Sequence, residues 1–106
     1  MGKDSVRWPY PRKPALGRAL PSNYAEGTRV FDKRVKAKFP IGMSEALLVE
    51  DLRRQGFAIR SDPRNVDHKS AAIIRGLIFR TIWSIRWQAR AGRIEDVWGV
   101  YDVIAP

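Results

Sequence analysis

Few side chains in this sequence can carry acid–base or metal chemistry. His68 is the only histidine of the 106 residues, and Asp67 precedes it, so a carboxylate adjoins the one imidazole able to serve as general base or metal ligand. A metal centre needs three or four such donors, and the sequence holds no second histidine and no cysteine. The stretch 61–69, SDPRNVDHK, is the most turn-rich in the chain and predicts a loop. A solvated loop histidine is the expected state of His68. The pair Glu95-Asp96 falls at an expected hairpin, where two acids commonly serve solubility. No Ser/His/Asp set, no GxxxxGK[ST] phosphate loop and no metal quartet occurs. The chain is therefore read as a protein without enzymatic activity, cofactor or metal.

Cations and aromatics are the other chemistry available. The formal net charge is +9, unevenly spread. Residues 1–40 hold ten Lys/Arg against Asp4, Glu26 and Asp32, a balance of +7, and residues 41–106 hold ten against eight acids, a balance of +2. Such a field attracts anionic partners of several kinds and is silent about fold. Three groups could use it. The first is Arg7, Trp8, Tyr10, Arg12 and Lys13 near the start of the chain. The second is Lys33, Arg34, Lys36 and Lys38, and the third is Arg80, Arg86, Arg90 and Trp98 among the later strands.

The elements that must position these groups follow from spacing. Residues 1–23 contain Pro9, Pro11, Pro14 and Pro21, too many for a helix or a central strand. They predict a basic arm that either lays Trp8 and Tyr10 on the domain or offers them for stacking on bases or filling a partner's pocket. Between Thr28 and Phe39 two patterns compete. Phe31, Val35 and Phe39 recur every four residues as on a helix; Val35, Ala37 and Phe39 alternate with Arg34, Lys36 and Lys38 as on a strand. The helix is preferred, with its lysines and arginine turned away from the apolar line.

Ser44 predicts the N-cap of a second helix through residue 55, its hydroxyl accepting from a free amide of the first turn. Leu48, Val49 and Leu52 line one face, and Gly56 suits the left-handed position that ends it, with Phe57 folding back. Phe57 to Arg60 then reads as a strand, and the β-branched content of 71–79 suggests a second one with Gly76 at a bulge or close backbone approach, a short helix being the competing reading. In 82–90, Trp83, Ile85, Trp87 and Ala89 alternate with Ser84, Arg86, Gln88 and Arg90, the pattern of a strand with one face on a core. Ala91-Gly92-Arg93 predicts a turn, and 94–104 a last strand that is apolar on both faces. Its Trp98 is either exposed at an interface or covered by the N-terminal arm.

The fold class expected is α+β: two N-terminal helices packed on a three- to four-stranded antiparallel sheet, with a Pro-rich basic arm at 1–23 and one domain at 24–106. One core is possible at this length. Without cysteine in these 106 residues, neither a disulfide framework nor a lipobox anchor is expected. No apolar run approaches a membrane span or a signal h-region, so the cytosol is the expected compartment and no membrane partner is expected. Met1-Gly2 matches a myristoylation signal only loosely.

The order helix, Phe39-Pro40-Ile41-Gly42-Met43-Ser44, second helix, antiparallel strands resembles the small α+β module of the SmpA/OmlA outer-membrane lipoproteins and of the β-lactamase inhibitor protein. In those families a Gly-Met-Ser/Thr turn opens the helix that packs on the sheet; Gly42, Met43 and Ser44 hold that place here. The likeness runs from Thr28 to Ile104 and implies a non-catalytic protein-binding scaffold, transferring no catalytic residue. Two classes of function thus stand. One is a small binding protein whose basic and aromatic surface engages nucleic acid, or an acidic or ribonucleoprotein partner that handles it. The other is a protein inhibitor or scaffold, for instance one encoded by a phage or mobile element against a host nucleic-acid enzyme. No small-molecule substrate is evident.

Overall fold

The computed structural model describes residues 15–20 and 23–104. A 3-10 turn, Ala15–Gly17, precedes helices α1 (Tyr24–Lys38) and α2 (Glu45–Arg54) and strands β1 (Ala58–Asp62), β2 (Asn65–Arg75), β3 (Arg80–Arg90) and β4 (Arg93–Ile104). The strands form one antiparallel meander in the order β1-β2-β3-β4. This is the expected α+β class, with four strands.

Helix α1 starts four residues earlier than the apolar spacing indicates. Asn23 caps it, its Oδ1 accepting from the Glu26 amide at 3.1 Å, and this Asn-x-x-Glu signal is what extends the helix. Phe31, Val35 and Phe39 are all fully buried, which settles the competition between helix and strand. At α2, Ser44 occupies the N-cap position, yet its hydroxyl makes no capping bond. The backbone does that work instead. The Glu45 amide donates to the Gly92 carbonyl at 2.9 Å, and Gly42 and Met43 exchange bonds with Ile94, so the approach to α2 is stitched to the β3–β4 turn. The far end is a Schellman closure: the Phe57 amide reaches the Leu52 carbonyl, the Gly56 amide reaches Arg53, and Gly56 takes φ +96°.

The expected loop at 61–69 is instead a β1–β2 hairpin. Asp62 Oδ1 accepts from the Arg64 amide at 2.8 Å and Asn65 Oδ1 from the Asp67 amide at 3.1 Å. These side-chain turns compress the reversal into Pro63-Arg64 and leave 65–69 free to pair. His68 therefore sits in a strand, opposite Gln88.

One face of the sheet meets both helices. Ala71, Ile73, Trp83, Ile85, Trp87, Ala89, Ile94 and Val97 share a single buried cluster with Phe31, Val35, Leu48 and Leu52. Ile94 and Val97 both point inward because β4 bulges at Glu95, where the register with β3 shifts by one. The 3-10 turn closes this core at the Trp83 end. Leu16 is buried, Gly17 lies against the Trp83 indole, and Arg34 Nη1 donates to the Leu16 and Arg18 carbonyls. The opposite face carries no described element, and none of its residues is buried.

Candidate functional site

The bare face is where the registers place an unusual set of side chains. Arg60 pairs with Ser70, Ser70 with Arg86, and Arg86 with Trp98. Because strands lie about 4.8 Å apart, these four residues form one straight row about 14 Å long across the whole sheet. Alternation along β3 explains why they point outward. Trp83, Ile85 and Trp87 anchor the helix side of that strand, so Arg86 between them must face away.

Neighbouring rows shape the site. Toward the β2–β3 turn the next row is Ala58, Ala72, Ser84 and Val100, four small side chains that leave a low floor beside Trp98. On the other side stand His68, Gln88 and Asp96. Arg60, Asp62, His68, Ser70, Arg86 and Trp98 line an open depression of about 490 Å³. A second hollow of about 400 Å³ shares Arg60 and Ser70 and continues past Ala72 to Ile74. The side chains of Arg60 and Arg86 make no ion pair or hydrogen bond among the described residues. Two free guanidiniums, an imidazole and a half-buried indole thus share one shallow, continuous surface. Such a surface can hold phosphate oxygens through its forks and a flat π system against its aromatic ring.

The basic face of α1 is differently employed. Lys36 is 3.0 Å from Asp32, Lys38 is 3.9 Å from Asp51, and Arg34 is held by the carbonyls of the 3-10 turn. Lys33 makes no ion pair among the described residues. These four lie on the helix side of the molecule, across the core from the row. Arg90 is exposed and 3.5 Å from Glu95, while Arg80 stands opposite Ile104 at the other end of β3. Of the three basic and aromatic groups singled out in the sequence, only Arg86 and Trp98 come together in this depression, joined by His68. Arg7, Trp8, Tyr10, Arg12 and Lys13 lie outside the described residues.

Arg60, Ser70 and His68 were not expected here. The alternation of Ala58 and Arg60 with Phe57 and Ile59 carried the signal for Arg60, whereas His68 was hidden by reading 61–69 as a loop and Ser70 fell between that loop and the strand expected from 71.

On the opposite surface, Glu45 is a structural staple. Its Oε2 accepts from Trp87 Nε1 at 2.8 Å and lies 2.8 Å from Lys69 Nζ. Burial pushes this carboxyl up, but the bonds from Lys69 and Trp87 and the Lys69 charge together hold it below its ordinary value. Helix α2 is thereby pinned to β2 and β3 directly behind the row.

No cluster of three or more His, Cys, Asp or Glu able to hold a metal occurs among the described residues. No helix among them is long and apolar enough to cross a membrane. No family model, curated protein or solved structure matches the chain.

Proposed function

We propose that this protein is a non-catalytic binder of single-stranded nucleic acid, which lies across the bare face of the sheet. The observation that carries the reading is the register row Arg60–Ser70–Arg86–Trp98. Single-strand recognition by a sheet needs a flat platform, an aromatic ring for base stacking and cations along the backbone path. The row and the low floor of small side chains beside it supply these together, and no described helix lies on this side to obstruct the strand. A net charge of +9 adds long-range attraction. The absence of cysteine is compatible with a cytosolic setting.

A second reading is a protein-binding scaffold of the kind implied by the resemblance to the SmpA/OmlA and β-lactamase-inhibitor modules. The half-buried Trp98 next to Val100 and the alanines favours it, since such a surface also suits an apolar protein contact.

Fluorescence anisotropy with labelled oligo-dT and oligo-rU, titrated with salt, separates the two. Phosphate contacts give a linear fall of log affinity with log salt of about 0.7 per phosphate neutralised on a single strand. Replacing Arg60 and Arg86 by Gln should reduce that slope by about 1.4, and Trp98→Ala should weaken binding by about 1 to 3 kcal/mol with the slope retained. Undetectable binding at low salt, or affinities untouched by all three substitutions, would refute the reading.

A further inference from the structure

At the end of the sheet away from the β3–β4 turn, the β2–β3 connection exposes Leu77, Ile78 and Phe79 at 71, 65 and 65 %. They are the one run of three successive exposed large apolar residues among those described. Ile74 and Ile104, at 47 and 48 % exposed, add to the same end from the bare face. The turn holds its side chains outward. Gly76 takes φ +112°, and a Cβ there would come within 2.2 Å of the Phe79 carbonyl oxygen, so the base of the turn is closed on its own backbone and admits only glycine. Arg75 and Arg80 flank the tip, and neither makes an ion pair among the described residues. The nearest acid along the strands is Asp102, opposite Ile82, and its Oδ1 is engaged by the Val103 amide.

We propose that this tip is a peripheral membrane contact that seats on an anionic bilayer, with Leu77, Ile78 and Phe79 among the upper acyl chains and Arg75 and Arg80 at the lipid phosphates. The charge selects this occupant. A second copy would bring two further arginines against these two, and the N-terminal segment carries Arg7, Arg12 and Lys13, so both self-association at the tip and cover by that segment set like charges together. A negatively charged lipid surface satisfies the arginines and the apolar side chains at once. A convex apolar protrusion also needs no matching pocket in a fluid phase. That no described helix is long and apolar enough to cross a bilayer leaves adsorption to its surface open. The tip is five residue pairs along β3 from Arg86, about 17 Å; Ile74 borders both the tip and the second hollow, but the contact uses neither Arg60, Arg86 nor Trp98 and does not rest on the nucleic-acid reading.

The test is sedimentation of the full chain with vesicles of phosphatidylcholine alone and of phosphatidylcholine with about one third phosphatidylserine. The chain should bind the anionic vesicles and lose that binding roughly tenfold or more on replacing Leu77, Ile78 and Phe79 by Ser. Arg75→Gln with Arg80→Gln should reduce the preference for anionic vesicles by roughly thirtyfold, the effect of two basic groups at such a surface. The exposed positions make misfolding a minor risk, and an unchanged melting curve confirms it for each variant. Arg60→Gln with Arg86→Gln should leave vesicle binding intact. A folded chain that ignores anionic vesicles overturns the proposal, whether the tip is occupied by another copy, by the N-terminal segment or by an acidic protein pocket. Equal binding by the serine variant also overturns it.

Discussion

Replacing Gly99 by Ala tests the packing that leaves one sheet face bare. Gly99 sits on β4 opposite Ile85, on the side facing α1, and its amide donates to Asp32 Oδ1 at 2.9 Å. A Cβ at this position would meet Val35 Cγ2 at 2.8 Å and Phe31 Cδ2 and Cε2 at 2.9 and 3.0 Å. Ordinary carbon contacts begin near about 3.5 Å, so the overlap is about half an ångström or more with two side chains at once. Both are fully buried and have no free rotamer to yield into. Helix α1 must therefore lift, stretching the bonds that tie it to β4, namely Asp32 to Gly99 and Thr28 Oγ1 to the Tyr101 carbonyl at 2.7 Å. Overpacking of this kind costs about 1 to 3 kcal/mol, and the stiffer unfolded chain of an alanine variant returns about 0.5 to 1 kcal/mol. Because two rigid side chains are met at once, the upper part of that cost, about 2 to 3 kcal/mol, applies, and the net loss is about 1 to 2.5 kcal/mol, or a fall in Tm of about 4 to 20 °C for a domain of this size. Thermal and urea unfolding followed by circular dichroism measure it, with an unchanged m-value showing that stability alone has moved. In the double variant with Val35→Ala the two losses should sum to more than the measured one, because the methyl removed is one of the groups met. An alanine variant as stable as the parent would refute the close seating of α1 on β4.

Two further outcomes follow from local geometry. The folded-state pKa of Glu45 lies below its unfolded value, so its contribution is full above the unfolded pKa and fades as pH falls through the folded one; Glu45→Gln should destabilise the domain at about pH 7, and the gap from the parent should narrow toward about pH 3. A gap independent of pH in urea unfolding would show the staple to be uncharged in effect. Gly56→Ala places a Cβ at φ +96° and should cost about 1 to 2 kcal/mol of stability through backbone strain alone, since the nearest atom it meets, Ile73 Cδ1 at 3.8 Å, is in ordinary contact; a neutral result in the same assay would contradict the Schellman ending of α2.

What was readable in the sequence is the part set by periodicity. The alternation of Trp83, Ile85 and Trp87 fixed the face of β3 that meets the helices, and Gly56-Phe57 marked the end of α2. Two kinds of information escaped it. Asx turns around Asp62 and Asn65 condensed a nine-residue polar stretch into a hairpin, because short side-chain bonds replaced the loop that composition suggested. Register is a pairing between strands far apart in sequence, so nothing local to Arg60, Ser70, Arg86 or Trp98 discloses that they align. The cations of α1 were legible as a basic face, but their partners were not. Asp32 falls four residues before Lys36, whereas Asp51 and the carbonyls that hold Arg34 come from other elements.

The account turns on which side of the molecule meets the nucleic acid, and amide chemical-shift mapping on the folded chain with a short single-stranded oligonucleotide decides it most directly. The account predicts that the shifts gather at Arg60, Ser70, Arg86 and Trp98 and at the neighbouring row through Ala72 and Ser84, with α1 quiet. Shifts confined to Lys33, Lys36 and Lys38 while the sheet stays silent would contradict it.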